Sequence, residues 1–124
     1  MNKNILNRKV LVKISGDYCA WHEVNLSVLY IFGDVKDINY DYRTSILYDD
    51  YIAEFLAKKL NIESEEIEEK DLMKISKEEL DRLIEEFVKN FEYDSYNDYK
   101  ISDAIIELED KKIKNVFVKT RLSF

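Results

Sequence analysis

A thiol and an imidazole lie within one short run, Cys19-Ala20-Trp21-His22, and they are the only cysteine and histidine in the chain. Such a pair can form an activated nucleophile, with an acid orienting the imidazole. The plainer account is a buried thiol and a surface histidine in the connection between strands. Zinc is a poorer match, because a structural site needs a full tetrahedral set of Cys and His ligands.

Asp37, Asn39 and Asp41 stand where a calcium loop places its first three oxygen ligands. The continuation departs from that pattern, with Tyr42 at the glycine position and Tyr48 in place of the closing glutamate. Acids alternating along an exposed edge strand explain the spacing equally well, and they discourage edge-to-edge pairing. With Gly16 and Gly33 the only glycines, no phosphate-cradling loop or dinucleotide fingerprint can be built. Carboxylate pairs for acid/base chemistry are not diagnostic among 26 acids. No catalytic, metal or cofactor motif emerges, and the reading at this level is a non-enzyme.

Charge is more informative when divided along the chain. Residues 1–22 carry a net +3, residues 23–60 a net −3, residues 61–92 a net −7 and residues 93–124 zero. The densest cluster is Glu63, Glu65, Glu66, Glu68, Glu69 and Asp71, relieved only by Lys70. A nucleic-acid backbone would be repelled by such a surface and a basic protein attracted. The bland alternative is a solvated helix face that maintains solubility. Nine tyrosines, most beside acids, favour a binding surface, since tyrosine offers rigid contact area. They include Tyr40 and Tyr42, the run Tyr48-Asp49-Asp50-Tyr51, and a polar aromatic loop with Tyr93, Asp94, Tyr96, Asp98 and Tyr99. Tyr48 and Tyr51 also fall on an apolar helical stripe, where they would be core.

The elements that must position these groups follow from periodicity. Alternation predicts strands over residues 9–15, closed by Gly16, and over 24–32, where Val24, Leu26, Val28, Tyr30 and Phe32 share a face. A weaker third strand is expected over 37–42. Spacings of three and four from Ser45 predict a helix to about residue 60, capped by Thr44 or Ser45 and ended by Asn61 in the left-handed conformation. Residues 64–73 suggest a short acidic helix. Ser76 and Glu79 have capping-box spacing, Ile75 can staple onto Leu80, and Leu80, Leu83, Ile84, Phe87, Val88 and Phe91 continue a helix over about 77–91. Two strand-like runs, 103–109 and 113–122, joined by Asp110-Lys111-Lys112, predict a hairpin. The expected fold is α+β, in the order β-β-(β)-α-α-α-β-β. It would hold an antiparallel sheet of about four or five strands with two or three helices packed on one side. At 124 residues a single domain over 1–124 is expected, burying roughly two-thirds of its unfolded surface.

These features lead to a small acidic inhibitor that docks on a basic, nucleic-acid-handling protein. It is similar in size and charge to anti-CRISPR and other phage anti-defence proteins and to toxin-immunity proteins, an analogy of class rather than motif. The alternative is a small-ligand or nucleotide-sequestering module, possibly oligomeric, with Phe117 stacking a base and Lys119 and Arg121 holding phosphate. The absence of a long apolar run, of a signal-like start and of a second cysteine leads to a cytoplasmic location, the host cytoplasm for a phage protein. Neither membrane nor direct nucleic-acid binding is expected.

Overall fold

The structure, a computed structural model, describes residues 4–17, 20–36, 38–90 and 98–119. The fold is α+β, and the described residues form four antiparallel strands and four helices in the order strands, helices, strands. The strands are β1 (Ile5–Asp17), β2 (Ala20–Ile31), β3 (Asp98–Glu109) and β4 (Lys112–Val118). The helices are α1 (Tyr42–Leu47), α2 (Asp50–Leu60), α3 (Glu69–Leu72) and α4 (Lys77–Asn90). The chain divides into two compact units, the sheet with residues 1–40 and 93–124, and the helices with residues 41–92. No helix among the described residues is long and apolar enough to cross a membrane.

In the sheet the strand order is β2-β1-β3-β4, so β2 and β4 form opposite edges. Register places Leu6, Val10 and Val12 on the same side as Ile106, Ala104 and Leu108, and this side carries the unit's core. The alternation expected through β2 is interrupted. Val12 pairs with Val28 but Leu11 pairs with Tyr30, which leaves Leu29 as an extra residue in a β-bulge. Val28 and Ile31 therefore join the Val10 core, while Tyr30 turns to the opposite face and meets Phe32 edge-on at 4.9 Å. The Tyr40 hydroxyl donates to the Leu29 carbonyl at 3.4 Å, which supplies a partner at the point where the ladder is disrupted.

No third strand occupies residues 38–42. Ile38 and Tyr40 instead belong to a segment packed on the Val10 core, where Ile38 is buried and Val35 and Tyr40 lean against it. The apolar alternation was real, but it arises from a strap on the sheet rather than from an added strand. At β3–β4 the turn is shorter than expected, with Asp110 at φ 52° and Lys111 at φ 67° forming the two-residue loop. Paired positive φ values match the twist of a tight hairpin.

The helix expected over 45–60 is two helices. Asp41, not Thr44 or Ser45, caps α1 by accepting from the Thr44 N–H at 3.1 Å. Buried Asp49 caps α2 by accepting from the Ile52 N–H at 3.0 Å. A capping carboxylate takes backbone groups out of a continuous ladder, so the periodicity carries across while the helix does not. At the far end Asn61 is left-handed (φ 57°) and the Ile62 N–H reaches back to the Ala57 carbonyl at 2.9 Å, closing α2 as its sequence suggests. Ser76 caps α4 through the Glu79 N–H at 3.1 Å. Phe55 of α2 meets Phe87 of α4 at 5.3 Å, and Lys59 pairs with Glu86 at 2.6 Å.

Candidate functional site

Helix caps, buried ring contacts and one arginine hold the acidic segment in place. Arg43, on α1, donates to the Leu72 carbonyl at the end of α3, to the Ile75 carbonyl at 3.2 Å and to the Tyr42 hydroxyl at 3.0 Å. A guanidinium suits this position because its fork of donors can serve several carbonyls at once. Lys77, at the start of α4, stands 4.5 Å from the centre of the Tyr42 ring and pairs with Asp81 at 2.7 Å. Burial pushes the Lys77 amine below its ordinary value, opposed by the Asp81 carboxylate. This half-buried cluster fastens α1 to the connection between α3 and α4, and nothing in the periodicity of the sequence pointed to it.

Within that frame Glu63, Glu65, Glu66, Glu68 and Glu69 are exposed, whereas Asp71 is partly buried. Asp71 has a structural task, accepting from the Glu68 N–H at 2.9 Å in the first turn of α3. The Glu69 carboxylate lies 2.9 Å from the Thr44 hydroxyl, a contact between α3 and α1. Glu68 pairs with Lys70 at 3.2 Å across an exposed, solvent-screened gap. Glu63, Glu65 and Glu66 form no ion pair among the described residues, and they lie in the turn between α2 and α3. Residues 41–92 hold sixteen Asp and Glu against eight Lys and Arg, a net −8, while the remainder of the chain carries a net +1.

Two aromatic residues of this unit were placed on a core stripe by their spacing and are instead at the surface. Tyr48 is 83% exposed and Tyr51 is 47% exposed. The break at Asp49 turns them outward, while Ile46, Ile52 and Leu56 take the buried positions. Their setting beside Asp49 and Asp50 was the available signal. Met73, directly after α3, is likewise exposed.

Tyr93, Asp94 and Tyr96 lie outside the described residues, and of Asp98 only the backbone at the start of β3 is described. Tyr99 is in β3 of the sheet unit and is 9% exposed, with the Lys13 amine 5.7 Å from the centre of its ring. Comparison with protein-family models, with curated proteins and with solved structures finds no match. The site therefore rests on its own geometry and charge.

Among the residues of the ligand-binding alternative, Phe117 is 55% exposed and pairs with Ile105. Lys119 is exposed just past β4, and its backbone N–H donates to the Asp103 carbonyl at 2.9 Å. Arg121 lies outside the described residues. So does Cys19, and of His22 only the backbone in β2 is described. Of the calcium-like triplet, Asp37 lies outside the described residues, Asn39 donates its N–H to the Lys111 carbonyl, and Asp41 is occupied as the cap of α1. Among the described residues no group of three or more His, Cys, Asp or Glu is arranged to hold a metal ion.

Proposed function

We propose that this chain is a protein-binding inhibitor that occupies a basic site on a larger, nucleic-acid-handling protein, using its helical unit as the docking surface. The segregation of charge supports this reading, since a net −8 falls on residues 41–92 and a net +1 on the rest. Solubility alone does not require that one unit carry the whole excess. Exposed Glu63, Glu65, Glu66 and Glu68 present carboxylates that can stand in for phosphates. Tyr48 and Tyr51 add rigid aromatic area of the kind found at interface centres.

Low-salt affinity capture with the intact chain tests the reading. A basic protein should be recovered, the chain should displace its nucleic acid, and the complex should weaken as salt rises. The triple variant Glu63→Lys, Glu65→Lys, Glu66→Lys should lose the partner. A chain that captures nothing, or a triple variant that captures as well as the parent, removes the reading.

A further inference from the structure

We propose that the outer edge of β4 is a docking strip for an extended, carboxylate-bearing segment of a partner protein, which joins the sheet as an added strand. The strand lies at the end of the order β2-β1-β3-β4. Its inner side is fixed by the Lys119 N–H, which donates to the Asp103 carbonyl at 2.9 Å. Register is unbroken from Ala104↔Val118 to Glu107↔Asn115. Backbone direction alternates along an antiparallel pair, so Phe117 and Asn115 also turn inward while Val116 and Val118 present their N–H and C=O groups outward. Those groups are the template that an incoming strand completes.

The side chains around the strip select the occupant. Val116 and Val118 lean into the sheet's apolar cluster, which holds the strand's position. Phe117, Asn115 and Lys119 stand exposed on the other face, where they would flank the side chains of an added strand. Residues 111–119 contain Lys111, Lys112, Lys114 and Lys119 and no acid. Two copies joined edge to edge would bring two lysine-bearing strands of like charge together, which disfavours self-pairing. A strand carrying Glu or Asp on the Lys119 face would form opposite-charge cross-strand pairs instead, with its alternate apolar residues on the face of Val116 and Val118. The register shift between Glu107 and Leu108 makes Lys114 an extra residue, so the regular strip runs from Asn115 to Lys119.

The test uses the intact chain and two labelled peptides, Glu-Val-Glu-Val-Glu-Val-Glu and the same peptide with its central Val replaced by Pro. Both carry the same charge, and only the first can form a continuous strand. Fluorescence anisotropy should show saturable binding of the first and none of the second. Lys119→Glu should weaken binding about tenfold or more through like-charge repulsion. Val116→Pro removes an outward N–H while sparing the inward ladder, and it should abolish binding. If that variant fails to fold, Lys119→Glu decides alone. Equal binding of both peptides, no binding up to about 1 mM, or an unchanged affinity in Lys119→Glu overturns the proposal.

Discussion

The backbone N–H of Asn39 donates to the carbonyl of Lys111 at 2.6 Å. This bond joins the segment that leaves β2, on one edge of the sheet, to the turn that begins β4 on the other. Ile38, beside it, is buried among Val10, Val12, Ala104 and Ile106, so the strap is pinned by packing as well as by the bond. The turn it grips is not relaxed, because Lys111 is a side-chain-bearing residue at φ 67°.

Lys111→Gly should therefore stabilise the protein. Removing the Cβ relieves a left-handed strain of about 1 kcal/mol, partly offset by the freer unfolded chain. Urea denaturation is expected to give a net gain of about 0.5 kcal/mol. A loss of stability would mean that the turn is better adapted to lysine than its backbone angle implies.

The Tyr40 hydroxyl serves the carbonyl exposed by the Leu29 bulge. Tyr40→Phe keeps the ring against the core and removes the donor, so it should cost about 1 kcal/mol. Thermal melts of the two proteins should differ accordingly, and coincident melts would show that the bulge carbonyl has another partner.

Arg43 should be far less tolerant. Arg43→Ala strands the carbonyls of Leu72 and Ile75 and is expected to cost about 2 kcal/mol, with Arg43→Lys recovering only part because an ammonium cannot span both. Amide hydrogen exchange would localise the effect, with faster exchange concentrated in residues 69–80. Uniform acceleration across the sheet would contradict the assigned role.

Asp41 introduces a pH dependence. The Thr44 hydroxyl, with further hydrogen bonds, holds its carboxyl below the ordinary carboxylate range. A depressed carboxyl pKa contributes stability that is present above the unfolded value and disappears as pH falls through the folded one. Asp41→Asn keeps a capping oxygen but loses the charge, so it should cost about 0.5 kcal/mol at neutral pH. The two stability curves should converge as the solution becomes acidic, and a constant gap down to the acid limit would place the effect elsewhere.

Ser102 is 7% exposed on the core side of β3, and its hydroxyl has no hydrogen-bond partner among the described residues. Desolvating a hydroxyl without a partner is unfavourable. Ser102→Ala is expected to be neutral or stabilising by up to about 1 kcal/mol. Destabilisation in a calorimetric scan would indicate a hydrogen bond made in solution.

The sequence was most legible where local chemistry and periodicity agree. The cap at Ser76, the run from Leu80 to Phe87 and the left-handed Asn61 each combine a terminus signal with an apolar stripe, and all appear in the structure. It was least legible where tertiary context redirects a local pattern. Asp49 reads as one more acid within a helix, yet buried it becomes a cap and splits the helix in two. Leu29 bulges with no glycine to mark it, and that single extra residue sends Tyr30 to the opposite face from Val28. The exposure of Glu63, Glu65 and Glu66 could be read from charge density, whereas Tyr48 and Tyr51 gave two opposed signals, acidic neighbours and an apolar stripe, and both tyrosines are exposed where the helix breaks at Asp49.

The helical unit is inserted in the middle of the sheet unit, which has a consequence during synthesis. β1 is paired on one side by its neighbour in sequence, but its other side waits for β3, which begins only at Asp98. As the chain leaves the ribosome, the helices can close on contacts between neighbours before the sheet can be completed. Until Asp98–Glu109 arrives, a central strand is exposed as an edge, and the early β1–β2 hairpin is the form of this protein most open to capture by other strands.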